Sequence, residues 1–320
     1  MKMLAALLAL LAAPALAQDY PTRLVRLVVT FTPGGGADTT ARIFAERLSE
    51  AWKHQVVVEN RPGAGGSIGA EAVHKAAPDG YTLLLATNTH IINQVVYPSL
   101  AFDFTKDFTP IAIVTSGPMV IAVNSAKVQA KDLKEFIAML KSAPGKLSYA
   151  SCNVASPHHF SMEMLKSIEG IDALHIPHKG CGPAVADTVA GHIDSVVTTL
   201  PAAVPFFKQG RLRAIALLSS TRSTAAPEIP TVRESGIPRL KDFSLDNYYG
   251  FMAPPGTPAA IARKIEADAL KIAGEPELRK RLEGAGMDML VLGSGEMMQL
   301  IRADYDKYSR AAKAANIRAE

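Results

Sequence analysis

The stretch RLVRLVVTFTPGGGADTTARIFAERLSEAW, residues 23–52, limits the fold more than any other part of the chain. Its β-branched and apolar start reads as a strand over 23–31. Ala41, Phe44, Leu48 and Ala51 then recur on one face of a helix. Between the two stand Gly34, Gly35 and Gly36, which lack Cβ and let successive backbone N–H groups point at one place. A strand that enters a helix through a short glycine turn is the building unit of α/β folds. Such a turn favours an anion, because the helix adds the positive end of its dipole. The plainer reading is a tight turn that holds nothing.

The rest of the chain repeats this pattern. QVVVEN (55–60) reads as a second strand. NRPGAGGSIG (60–69) is a second turn, stiffened by Pro62 and freed by Gly63, Gly65 and Gly66, and SIGAEAVHKAA resumes a helix. YTLLLAT (81–87) is nearly all apolar, as a strand covered on both faces should be, and Thr87, Asn88 and Thr89 end it with uncharged polar groups. Pro118 divides a β-rich segment over 108–125, which suits a chain passing from one domain to another. A helix with Leu133, Phe136, Ile137 and Leu140 on one face follows. Further strands are expected at 146–151, 173–177, 194–199 and 212–219, with helices at 158–168, 183–190 and 201–208. Residues 243–258 read as irregular, and the chain after Pro258 as helical. The expected architecture is two α/β lobes, each a mainly parallel sheet flanked by helices. Residues 20–120 plus 250–320 would form the first lobe and 121–249 an inserted second lobe, with crossings near 118–123 and 243–251.

A chain of 320 residues with 48% hydrophobic and 20% charged residues has enough apolar material for two cores. It has no Lys/Arg block and no interleaving of basic and aromatic residues, so no nucleic-acid partner is expected. MKMLAALLALLAAPALA, residues 1–17, has the basic start, apolar run and Ala-Leu-Ala ending of an export signal cleaved after Ala17. The run from Leu4 to Ala13 is too short to span a bilayer, and Gln18 offers no site for lipid attachment. Losing Lys2 takes the formal charge from +4 to +3. An exported chain meets an oxidising compartment, where Cys152 and Cys181 can pair. Such a bridge would contribute roughly 3–4 kcal/mol by loop entropy. The sequence leaves open whether the two cysteines meet.

These loops admit several chemistries. Gly34 and Gly36 give the start of a dinucleotide fingerprint, with Glu59 at a tempting offset, but position 39 is Thr and no G-K-S/T follows any glycine run. No nucleotide cofactor is expected. SCNVASPH (151–158) and HKGCGPA (178–184) also follow strands and can converge with the first turn on one crevice. A hydrolase reading would take Ser156 as nucleophile, one of His158, His159, His175 and His178 as base, and Asp194 as orienter. The G-x-S-x-G elbow is missing. A metal reading would use the same histidines, but H-E-x-x-H is absent. His178 and Lys179 fit better as one wall of an anion pocket, Lys179 as a mobile point charge. Asp38 is read first as the cap of its helix and second as a ligand contact. Asp194 either receives a ligand amine or hydroxyl or bonds a neighbouring loop.

In their order, FTPGGGADTTAR (31–42), VVVENRPGAGGSIGAE (56–71), APDGYTLL (77–84), SPHH (156–159), HIPHKGCGPAVAD (175–187), GHID (191–194), APEIPTVRESG (226–236) and GFMAPPGTP (250–258) carry a family resemblance. The chain resembles, over roughly 20–316, the extracytoplasmic solute receptors of tripartite tricarboxylate transporters, the Bug receptor family. The resemblance implies a two-lobed periplasmic binding protein of type II, a Venus flytrap with its ligand cleft between the lobes. It implies high-affinity binding of a small carboxylate (a di- or tricarboxylate, an aromatic acid or an acidic amino acid) and delivery to a two-subunit integral membrane permease. It implies no catalysis, no metal and no cofactor, and a monomer in the periplasm. Pro33, Gly34, Gly35, Gly36, Asp38, Lys179 and Gly180 carry over as ligand-binding positions, and Thr87 and Thr89 carry over in role. Phe31, Ser156, His178 and Asp194 complete the expected set. The chain departs from the family pattern at Asn153 and Ala155, where glycines are usual, at His178 in place of Tyr, and at Tyr249 in place of Trp. The competing readings are a secreted hydrolase on the same two-lobed fold and a ligand sensor without a transport role.

Overall fold

Two mixed β-sheets organise the chain, which passes from one to the other and back. The computed structural model describes residues 20–97 and 99–315; residues 1–17, expected from the sequence to be an export signal, lie outside the described residues. The first sheet holds β1 (Val25–Val29), β2 (Val56–Asn60), β3 (Thr82–Thr87), β4 (Thr109–Ser116), β10 (Tyr248–Ala253) and β11 (Leu292–Gly293), in the order β11-β4-β10-β3-β1-β2. The second holds β5 (Met119–Asn124), β6 (Ser148–Ser151), β7 (Leu174–Pro177), β8 (Ser195–Thr199) and β9 (Leu212–Leu217), in the order β7-β6-β8-β5-β9. Within them β1 runs parallel to β2 and β3, and β6 runs parallel to β7 and β8.

The two-lobed α/β architecture is present, but the sheets are mixed rather than mainly parallel. The strands that return from the other lobe cause the difference. β5 enters the second sheet antiparallel to β8 and β9, and β10 enters the first antiparallel to β3 and β4. β10 lies within residues 243–258, which the sequence reads as irregular. All six of its residues are buried, so it shows no alternation of polar and apolar side chains. Its register with β4 slips between Tyr249 and Gly250 and again between Phe251 and Met252, and an added Cβ on Gly250 would collide with the Ala112 carbonyl.

Five helices follow strands whose C-terminal ends meet between the lobes. They are α1 (Gly36–Trp52) after β1, α3 (Asn88–Val96) after β3, α5 (Pro157–Glu169) after β6, α6 (Cys181–Val189) after β7 and α7 (Leu200–Lys208) after β8. α2 (Ser67–His74) follows β2, and α4 (Leu133–Ser142) connects β5 to β6. Leu133, Phe136, Ile137 and Leu140 form the buried face of α4, as their spacing requires. α8 (Ala259–Ala273) and α9 (Pro276–Gly284) cover the first sheet, with Phe44 of α1 set edge-on to Phe251 at 5.5 Å. The last helix, α10 (Ser294–Ala315), does more than cover the first lobe. Tyr308 accepts a hydrogen bond from Asn88 at 2.9 Å and meets Phe160 of α5 at 5.6 Å, so the helix touches elements of both lobes. Among the described residues no helix is long and apolar enough to cross a membrane.

Candidate functional site

The N-terminal ends of α1, α3, α5, α6 and α7 all border one cavity between the lobes. Gly35, Gly36, Ala37 and Asp38 come from α1 and its turn, Thr87 and Thr89 from α3, His158 from α5, Cys181 from α6 and Thr199 from the start of α7. Phe31, Thr32, Cys152, Asn247 and Tyr249 complete the wall. The first-turn N–H groups of a helix have no intrahelical acceptor, and five helix dipoles add there with the same sign. α1, α6 and α7 also begin without a side-chain cap. Thr199, at the cap position of α7, accepts instead from the Gly36 amide across the cleft at 3.2 Å. α3 is capped by Thr87, whose side chain accepts from the Thr89 amide at 3.1 Å.

No lysine or arginine lines this cavity. Its one formally charged group is Asp38, which is already engaged. Its carboxylate accepts from Arg42 Nε at 2.9 Å, Asn60 Nδ2 at 3.0 Å and the Gly34 amide at 3.2 Å. Burial works against ionisation of Asp38, but those donors hold its carboxyl below the usual range. The helix begins at Gly36 with Gly35 in the cap position, so Asp38 sits inside the first turn and is not the cap the sequence reading assigned first. Asp38 instead steadies the turn by receiving Gly34, whose φ of +95° suits glycine. Gly36 is glycine for a different reason: an added Cβ would lie 2.5 Å from Tyr249 Oη. That phenol accepts from Asn247 at 2.7 Å, and burial raises its pKa above the normal range.

The second lobe contributes a disulfide between Cys152 and Cys181 in the cavity wall. His158 Nε2 lies 3.8 Å from Cys181 Sγ, and its buried Nδ1 has no hydrogen-bond partner. The donor atoms of Cys152, His158 and Cys181 fall within 4.8 Å of one another. Soft-metal binding needs thiolates, and here the two sulfurs are bonded to each other.

The structure brings together Phe31, Gly35, Gly36, Asp38, Thr87 and Thr89 of the expected set and separates others. Ser156 is fully buried as the cap of α5, accepting from His159 N and donating to the Asn153 carbonyl at 2.7 Å. His178 turns away from the cavity, with Nε2 2.9 Å from Asp187 and Nδ1 3.2 Å from the Ile176 carbonyl. Asp194 stands just before β8, at the end remote from the cleft, where it accepts from Ser148 and pairs with Lys127 at 2.7 Å. Lys179 has an exposed side chain, and its carbonyl meets the first lobe by accepting from Thr32 N at 3.4 Å and Thr32 Oγ1 at 3.3 Å. Gly180 lies directly against Thr32 Oγ1. Pro33 and Gly34 are exposed at the rim, where an added Cβ on Gly182 would stand 2.9 Å from the Pro33 carbonyl oxygen. These contacts describe a closed cleft. With the lobes in contact at Thr32 and Lys179 and at Gly36 and Thr199, they must part to admit a small acid.

Thr32, Ala37, His158, Thr199, Asn247 and Tyr249 are wall residues that the expected ligand set omits. Thr199 had a signal, since it ends a strand in the same way as Thr87. Tyr249 lies inside the strand that the sequence did not reveal.

Comparison with known proteins gives a consistent result. Residues 40–317 match the model of the tripartite tricarboxylate transporter family receptor, TctC. Protein BugT of Bordetella pertussis is 37% identical over 253 residues, covering 78% of this chain and 76% of BugT. A solved periplasmic transporter is 38% identical, with a TM-score of 0.88 over 93% of this chain and 99% of that one. Rpa4515 of R. palustris, solved with adipate, is 30% identical, with a TM-score of 0.89 over 94% of this chain and 99% of its own. MatC of Rhodopseudomonas palustris, solved with malate, is 30% identical, with a TM-score of 0.84 over 91% of this chain and 99% of its own.

Proposed function

The chain belongs to the tripartite tricarboxylate transporter receptor family, a family of non-enzymatic solute receptors, and from that premise we propose that it captures a small carboxylate in the periplasm and delivers it to a two-subunit membrane permease. The observation that carries this reading is the ring of five helix N-termini around a cavity with no cationic side chain. An anion there is held by oriented amides and neutral hydroxyls, which need no reorganisation and leave the ligand free to depart. Relatives solved with adipate and malate agree with the same class of ligand. The proposed lobes are 20–120 plus 250–320 and 121–249, with 1–17 removed on export. Gly35 and Gly36, with Thr87 and Thr89, form the first-lobe half of the proposed binding set. The loop at Lys179 and Gly180 closes over them from the second lobe.

In this mechanism the open receptor meets the acid on the first lobe, and the second lobe then swings in. Closure excludes water and strengthens each remaining polar contact. The acid favours the closed form only to the extent that it binds that form better. Gly182 allows a test of closure apart from folding. Its φ is not in the left-handed region, and it sits in the first turn of α6, so alanine fits the open protein. In the closed protein the new methyl meets the Pro33 carbonyl, a backbone atom that cannot swing aside. Gly182→Ala is expected to leave the thermal midpoint unchanged or slightly raised and to weaken malate and adipate by at least about tenfold, a cost of about 1.4 kcal/mol. Calorimetric titration reads this directly. Equal affinities in the two proteins would contradict capture by closure.

A further inference from the structure

His158 is the one group in the cavity wall whose chemistry neither the family assignment nor the fold uses. It occupies the second helical position of α5, behind the Ser156 cap and Pro157, and is 5% exposed. Its neighbour His159 faces the other way, where its Nδ1 accepts from the Ala155 amide and its ring stacks on His175 at 4.1 Å. The His158 ring lies instead beside the disulfide, with Nε2 3.8 Å from Cys181 Sγ, and its Nδ1 is buried and unpaired. A buried polar nitrogen without a partner carries a desolvation penalty that a ligand atom can remove. The turn of α1 and the side chains of Thr87 and Thr89, which are suited to one carboxylate, line the same cavity as His158. A ligand held at that turn and filling the cavity meets His158, because the ring is part of the same wall.

We propose that His158 reads the second carboxylate of a dicarboxylate, donating a hydrogen bond from Nδ1 and taking up a proton as the ligand enters. The inference rests on the carboxylate-binding reading above and adds to it the residue that separates two-headed from one-headed acids. The proton balance is simple: neutral imidazole plus one solvent proton gives imidazolium, which pairs with the incoming carboxylate. The surroundings permit it. Asp38 of α1 is the only ionised group in the wall, and Arg42, Asn60 and Gly34 occupy it. β10 presents the Tyr249 phenol, bonded to Asn247; α3 presents only Thr87 and Thr89; α6 presents the disulfide, which does not titrate. From α10, Tyr308 packs against Phe160 and bonds Asn88. Burial alone keeps the empty-site imidazole neutral, pushing its pKa down to about 3, and a carboxylate beside it reverses that preference.

The test uses the mature protein and two matched pairs of acids: succinate with butanoate, and adipate with hexanoate. Titration at pH 6 in buffers of different ionisation enthalpy gives affinity and net proton uptake together. For the wild type, each diacid is expected to bind at least tenfold tighter than its monoacid and to draw in close to one proton. His158→Gln keeps a neutral hydrogen-bonding group that cannot be charged. It is expected to lose tenfold or more on the diacids, to stay within twofold on the monoacids, and to show no proton uptake. Equal losses on both kinds of acid, or no loss on either, would overturn the role of His158 and leave carboxylate binding intact. Diacid binding by the wild type without proton uptake would do the same and needs no variant, so a misfolded His158→Gln does not protect the proposal. Failure of the wild type to bind either diacid would overturn this inference, and binding of a tricarboxylate, an aromatic acid or an acidic amino acid in their place would leave the carboxylate reading standing.

Discussion

Lowering the pH from 7 to 4.5 is expected to remove roughly 3–5 kcal/mol of unfolding free energy through two buried imidazoles. His90 and His158 are both enclosed by protein, and burial pushes their pKa values down to about 4 and about 3. His90 is also held in place: its Nδ1 lies 3.1 Å from the Thr87 amide and 3.1 Å from the Thr87 carbonyl, its Nε2 lies 3.2 Å from Thr30 Oγ1, and its ring stacks on Phe104 at 4.9 Å. In the unfolded chain both titrate near 6.5. Between that value and the folded values the unfolded state binds more protons, so stability falls as pH falls; above pH 7 neither group contributes. His175, pushed down to about 3 mainly by burial and then by its cationic and imidazole neighbours, acts in the same direction. So do Asp38 and Asp194. Burial raises their pKa values, but hydrogen bonds, chiefly from Arg42 and Lys127, leave them lowered, and their contribution is lost as pH falls through those lowered values. Asp304 opposes them, because burial raises its pKa and its protonation favours the folded state. Urea unfolding at pH 7, 6 and 5 reads the balance, and His158→Gln should flatten the slope by about one proton, about 1.4 kcal/mol per pH unit. A stability independent of pH over this range would show that these imidazoles can be charged in place.

Breaking the Cys152–Cys181 bridge is expected to cost roughly 3–4 kcal/mol of second-lobe stability, the loop-entropy figure for a span of this length. The bridge joins residues 29 apart and pins the loop after β6 to the first residue of α6. It carries a functional load as well, because the same segment holds the Lys179 carbonyl against Thr32 and sets Gly182 under Pro33. Cys152→Ala/Cys181→Ala should therefore unfold at lower urea and also bind acids more weakly, since a loosened loop must be ordered again on closure. Urea unfolding of the double variant against the oxidised wild type reads the stability effect, and calorimetric titration of the same two proteins with malate or adipate reads the binding effect. Equal midpoints for both proteins would mean that packing alone fixes this corner of the cleft.

The sequence is most legible where one local rule decides the outcome. Strand, glycine turn and helix over residues 23–52 place Gly35 and Gly36 in the cleft wall. The strands that end in threonine put Thr87 there by the same logic. Legibility fails where a residue's use depends on the other lobe. Tyr248–Ala253 reads as irregular because a strand inserted between two others has no polar face to give alternation. Ser156 and Asp194 have the right chemistry for a site, but one caps a helix and the other stands just before a strand, and only the register of β8 with β6 reveals the second. His158 and His178 cannot be told apart by sequence. The helical position of His158 directs it into the cavity, while Asp187, nine residues beyond His178, draws that imidazole away.

A crystal structure of the mature protein with a bound diacid, solved from malate or adipate, bears most directly on how the molecule holds its cargo. One carboxylate should lie within hydrogen-bond distance of the first-turn amides of α1 and of the Thr87 or Thr89 hydroxyl, with no lysine or arginine touching it. An acid held by Lys179 outside the cavity, or a cleft occupied by a molecule with no acidic group, would contradict that account.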